Sequence, residues 1–158
     1  MSRKYRVTFE NVLVSAAQDL VQVTGATGKV YRILRQWVGC TDTSVATGQM
    51  LQLRARFLPA TVSNGSGGTT GITPSKNDPG DATCSSTTCC INSTSKATTN
   101  GTAIVLYENG VHMYQGDMWR YDEPPVVGPT EAFVYELMST VSGTVHLSGG
   151  VEIEEIGG

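Results

Sequence analysis

Histidine is nearly absent: His112 and His146 are the two in a chain of 158 residues. A metal held on a double-stranded β-barrel needs a local pair such as H-x-H or H-x-D and a distant third ligand. Here Tyr114 and Ser148 stand two positions on from the histidines, so the pattern excludes the usual facial set. Charge is scarce too, at 16% Asp, Glu, Lys and Arg against a usual share of about a quarter. No apolar run approaches the length of a membrane-spanning helix. The start, "MSRKYRVTFE", turns polar before the apolar core of a signal peptide develops, which points to synthesis in a cytosol. The three Asn-x-Ser/Thr sequons, at Asn64, Asn92 and Asn100, then read as accidents of a Ser/Thr-rich chain.

Familiar catalytic signatures fail on inspection. "GATGKV" ends in Gly-Lys, but Val23 occupies the first glycine position of a phosphate-binding loop and Val30 replaces its Ser or Thr. "NGSGG" around Ser66 has Asn64 where a nucleophile elbow needs glycine. Asp78 and Asp81 in "NDPGD" suit a turn capped by aspartate, not a calcium loop. Glu152 and Glu154 share a strand face and read as solvated or ion-paired. Nothing supplies a partnered acid and base, so no enzymatic activity is expected. A pI near 5.3 and the lack of a recognition helix argue against a nucleic-acid partner.

What the chain does have is period-two patterning. Tyr5, Val7 and Phe9 alternate with Lys4, Arg6 and Thr8; Leu20 stands beside Val21 and Val23. In "KVYRILRQWV", Tyr31, Ile33 and Trp37 share a face that Arg35 interrupts. In "MLQLRARFL", Leu51, Leu53, Ala55 and Phe57 alternate with Arg54 and Arg56, which predicts a solvated arginine stripe. Asn109-Gly110 between "AIVLYE" and "VHMY" predicts a two-residue hairpin turn. "EAFVYEL" alternates Phe133, Tyr135 and Leu137, with a short helix as the other option, and "GTVHLSGGVEIEEI" predicts two closing strands. About nine short strands and no long helix predict a single all-β domain, an antiparallel β-sandwich of jelly-roll-like kind. A long Ser/Thr/Gly-rich insertion spans about residues 60–101.

Charge is polarised along the chain, although the net value is only −3. Residues 1–60 carry eight Lys/Arg against three Asp/Glu, and residues 61–158 carry three against eleven. The terminal segments "KYRVTF" and "VEIEEI" have matching lengths and opposite charge, as paired neighbouring strands would. Three of the four cysteines fall in "CSSTTCC". The readings open for it are zinc, a disulfide from Cys84 to Cys89 or Cys90, or small half-buried residues in a pinned loop. Both tryptophans, Trp37 and Trp119, read as core residues.

"YRVTFENVLVSAAQDLVQV", "TPSKNDPGDA", "MWRYDEPPVVGP" and "SGTVHLSGGVEIEEI" together give the chain a family look. It resembles the capsid cement, or decoration, proteins of tailed bacteriophages, such as those of cyanobacterial phages. The cysteine cluster departs from that family's pattern. The resemblance implies a virion protein on the outer surface of the head, made in the host cytoplasm and often trimeric. It would bridge major capsid protein subunits after expansion, without cofactor, membrane or nucleic acid. Candidate contacts are Arg3, Lys4 and Arg6 at the basic start and Asn64, Ser66, Asp78 and Asp81 in the long polar segment. Two other classes stay open: a carbohydrate-binding sandwich of a head fibre or tail attachment, with Trp37 and Trp119 as a stacking face, and a metal-dependent barrel enzyme.

Overall fold

Alternation of apolar and polar residues makes strands, and strands need a second layer to bury their apolar faces. The computed structural model describes residues 2–42 and 48–156, and among these there is no helix. The first third of the chain forms β1 (Arg3–Val14), β2 (Gln18–Thr24), β3 (Val30–Cys40) and β4 (Met50–Leu58). The insertion contributes β5 (Val62–Ser63), β6 (Thr69–Ile72), β7 (Ser75–Lys76), β8 (Cys89–Ser93) and β9 (Thr98–Thr99). The last third adds β10 (Ile104–His112), β11 (Asp117–Arg120), β12 (Val126–Val127), β13 (Ala132–Leu137) and β14 (Val145–Ile156).

Two antiparallel sheets face each other as a β-sandwich. The first has the order β11-β3-β14-β1-β7, with β12 also on β3; the second has the order β10-β4-β13-β2-β8-β6. Tyr5, Val7, Tyr31, Ile33, Val151 and Ile153 point inward from the first, and meet Val21, Val23, Leu51, Leu53, Phe133 and Tyr135 from the second. Each fully buried side chain such as Phe133 contributes about 1.5–3 kcal/mol over leaving it exposed. The oppositely charged termini pair as the sequence predicts, with Arg3 opposite Glu155, Lys4 opposite Glu154 and Arg6 opposite Glu152.

Several local expectations are corrected. Successive strands β1 to β4 alternate between the sheets, so sequence neighbours rarely pair. Asn109-Gly110 makes no hairpin: β10 runs straight through it, opposite Leu53 and Gln52 of β4. The chain turns after His112 instead, where the Gln115 N–H donates to the His112 carbonyl and Gly116 takes a φ of 67°. It then crosses to the other sheet. The closing segment is one strand, not two, and Gly149-Gly150 lies within it. A side chain there would collide with the Trp37 and Val7 carbonyls, so glycine keeps the strand continuous in a tight sheet. The helix option for "EAFVYEL" fails because both faces of β13 are buried, one on the core and one under the insertion.

Interrupted alternation has one recurring cause, the β-bulge, which adds a residue and turns the following side chains to the other face. In β3 the extra residue is Leu34, between Ile33 opposite Ile153 and Arg35 opposite Glu152. Tyr31 and Ile33 therefore point inward before it and Gln36 and Val38 after it, while Arg35 and Trp37 face outward. Leu20 is the extra residue of β2, which explains three apolar residues out of step.

The insertion is not a loop. β6 and β8 extend the second sheet, β7 extends the first, and β5 pairs with β9 in a small separate sheet. Ala97 and Val62 pack on Leu58, Ala132 and Val134, sealing the outer side of the second sheet.

Candidate binding surface

The outer side of the first sheet is open, and register places its residues in rows. One row runs Arg120, Arg35, Glu152, Arg6; a second runs Arg32, Glu154, Lys4. Arg35 pairs with Glu152, and Arg32 lies 3.6 Å from Glu154. Lys4, Arg6 and Arg120 remain exposed. Five cations against two carboxylates make this face basic on a chain whose net charge is −3. Trp37, half-buried, sits among them with the Arg35 guanidinium 5.5 Å from its ring centre.

Beside that face runs one edge of the sandwich, where β10 ends the second sheet and β11 the first. Asp117 ties them together by accepting hydrogen bonds from Tyr107 (2.7 Å), Tyr135 (2.9 Å) and Asn109 (3.2 Å). Burial and the adjacent carboxylate push the Tyr107 phenol up to about 12 and hold that of Tyr135 well above its ordinary value, so both remain donors. Trp119 stacks on Tyr107 with ring centres 4.8 Å apart and is still 44% exposed. Neither tryptophan is a core residue, and that expectation is overturned: the bulge in β3 turns Trp37 outward, and Trp119 stands on an edge strand. Among the described residues, six of the eight exposed large apolar side chains fall between Ile104 and Val126, and a seventh, Met50, lies opposite His112.

The second sheet's outer side is closed. Arg54 and Arg56, expected as a solvated stripe, converge on Glu136, which is fully buried. Arg54 Nε lies 2.5 Å from its carboxylate and Lys96, from the insertion, 2.7 Å. Arg56 Nε is 2.9 Å away, close enough for charge attraction but off the hydrogen-bond direction. Asp19, 3.5 Å from Arg56, accepts the Ala97 N–H at 2.7 Å. Burial pushes its carboxyl up to about 6, against the lowering effect of that N–H and of Arg56.

The sequence-derived contact residues do not form one patch. Lys4 and Arg6 lie on the open basic face, and Arg3 sits at its end opposite Glu155. Asp78 and Asp81 lie in the turn after β7: Asp78 caps the Gly80 N–H at 2.9 Å, as its spacing predicts. Asn64 and Ser66 belong to the insertion on the other side of the molecule. Asn64 accepts from buried Gln22 at 2.6 Å, and Ser66 exchanges backbone hydrogen bonds with Ser95.

All four cysteines are free thiols, with no bridge from Cys84 to Cys89 or Cys90. Cys84, Cys89 and Cys90 are buried, not half-buried, and burial pushes all three thiols up, Cys84 to about 11. The loop is pinned by Glu155, which accepts from the Ser85 N–H at 2.9 Å and from Tyr31 at 3.3 Å. No group of three or more His, Cys, Asp or Glu among the described residues could hold a metal ion.

Sequence reasoning missed one acid–base pair. Asp42 lies 2.7 Å from His146 Nδ1 across the end of β3, and the His146 N–H and ring together hold its carboxyl below the usual range. Ser148 lies two residues along the same strand face, but its hydroxyl oxygen takes the Asn11 N–H at 2.8 Å. Only tertiary structure brings Asp42 to His146, 104 residues apart.

No family model matches the chain, and no curated protein does. Among solved structures, it is similar to the D431N mutant VP2 protein of infectious bursal disease virus, in T=1 particles, at 12% identity and a TM-score of 0.14. The match covers 99% of this chain and 39% of that one, and at that TM-score it carries no argument.

Proposed function

We propose that this chain is a structural virion protein, a cement or decoration module that binds the outer surface of a tailed-phage head and stabilises contacts between major capsid subunits. The observation that carries this reading is the apolar β10–β11 edge. Soluble sandwiches blunt their edges with short, charged or covered strands. Here the opposite edge, β6 and β7, is short and polar, whereas β10 is nine residues long with Ile104 and Val105 both about half exposed. Exposed apolar surface concentrated on one side marks a protein-binding site. Binding of this kind needs area and repetition rather than a reactive group, and many identical weak contacts on one shell add through multivalency. Trimerisation on the shell belongs to the same reading.

Co-sedimentation with phage heads tests it. The protein should bind expanded shells and not procapsids, and Val105→Lys should weaken binding at least tenfold without changing the melting temperature. Equal binding to both shell forms, or absence of the protein from mature virions, counts against the proposal.

A further inference from the structure

Next to Trp37, the open face holds a cleft of about 420 Å³ whose walls include Met118, Gln115, Asp117 and Ser148. Its floor is bare backbone. Gly39, on the outward side of β3, would carry a Cβ into open space with nothing within 4 Å. Gly150 lies under the indole, since a Cβ there would come within 2.9 Å of Trp37 Cζ2. The six-membered end of the indole thus reaches over β14, with the Arg35 guanidinium 5.5 Å from the ring centre. Beside the indole stand, among the described residues, the Gln115 amide, which makes no side-chain hydrogen bond, and the Ser148 hydroxyl, whose proton is free to donate. Asp117 borders the cleft, but its carboxylate turns to the other side of the sheet, toward Tyr107 and Tyr135. Met118, 69% exposed, also walls a second cleft of about 460 Å³ lined by Lys4, Arg35, Arg120 and Glu152. The two clefts thus share the Met118 wall, one aromatic and hydrogen-bonding, the other net cationic.

We propose that these joined clefts form a saccharide-binding site whose ligand is an acidic oligosaccharide. One sugar ring lays its apolar C–H face on Trp37 and directs its hydroxyls to Gln115 and Ser148. The carboxylate of an adjoining residue reaches Arg120 and Lys4, which have no carboxylate partner among the described residues. Stacking alone accommodates any sugar, and the cationic cleft alone accommodates any anion; their adjacency selects a chain that is both. The sugar site uses Trp37 and the outward residues of β11, Met118 and Arg120, whereas the cement contact is centred on β10 at Ile104 and Val105.

Tryptophan fluorescence and calorimetry test this on the full chain. In a Trp119→Phe background Trp37 is the sole indole, and oligogalacturonate should shift its emission, whereas malto-oligosaccharide and poly-glutamate should not. Trp37→Ala and Gly39→Leu should each weaken oligogalacturonate binding at least tenfold. A Cβ at Gly39 meets nothing within 4 Å, so the leucine enters the cleft from the side away from the core, and the melting temperature of each variant is measured alongside binding. Arg120→Gln should weaken binding several-fold and flatten its salt dependence. Equal binding of neutral sugar overturns the acidic assignment. Poly-glutamate binding as well as the sugar, or binding insensitive to both cleft substitutions, overturns the site in favour of attraction to a basic surface. No binding of uronate, sialylated or sulfated oligosaccharides overturns it outright.

Discussion

Two pairs of arginines that look alike in sequence end in opposite surroundings. Arg32 and Arg35 lie on the open side of the first sheet, with side chains 50% and 38% exposed; Arg54 and Arg56 lie on the covered side of the second, at 27% and 14%. The difference comes from neither strand. It comes from residues 60–101, which fold over one sheet and leave the other bare. Covering a face converts its ion pairs from solvent-screened contacts into a desolvated cluster in which every charge depends on its partners. The uncovered face keeps its cations available to a ligand.

The sharpest way to break this contrast is at Glu136. Glu136→Ala would leave Arg54, Arg56 and Lys96 facing one another without their shared carboxylate, and should cost about 3–5 kcal/mol in denaturant unfolding. A loss under 1 kcal/mol would mean that the covered side is wet. Asp19→Asn comes next. The carboxyl of Asp19 sits at about 6 in the fold against 3.8 when free. Its contribution is therefore most favourable below pH 3.8 and is lost as pH rises through 6. The substitution removes that loss while keeping an acceptor for the Ala97 N–H. The variant should gain on the parent between pH 4 and 7 by at most about 3 kcal/mol, measured by unfolding at each pH. On the open side, Glu154→Ala should cost less than about 1 kcal/mol, and salt should reduce even that. Finest of all is a measure of access. Titration of the native protein with a thiol reagent near pH 8 should label Cys40 alone, and denaturation should release all four thiols. Two or fewer after denaturation would restore the disulfide.

Much of the sandwich was legible because a strand's period is local. Tyr5-Val7-Phe9, Leu51-Leu53-Ala55 and Phe133-Tyr135-Leu137 announce their inward faces residue by residue, and the complementary termini announce their own pairing. Legibility stopped at bulges. Arg35 read as an intruder on an apolar face, when Leu34 had already turned the strand over. That same bulge put Trp37 on the surface and into the candidate site, so the site was hidden for the reason it exists. Asn109-Gly110 misled in a different way: a local turn preference lost to eight residues of pairing with β4.

By itself, then, the sequence determined strand identity, the inward faces and the pairing of its ends, since alternation and charge act between near neighbours or along matched segments. Only the tertiary structure decided which sheet face would be covered, which arginines would be buried, and where aromatic and cationic groups would meet. Those outcomes depend on contacts between residues tens of positions apart, such as Lys96 with Glu136 and Met118 beside Trp37. No local pattern encodes them.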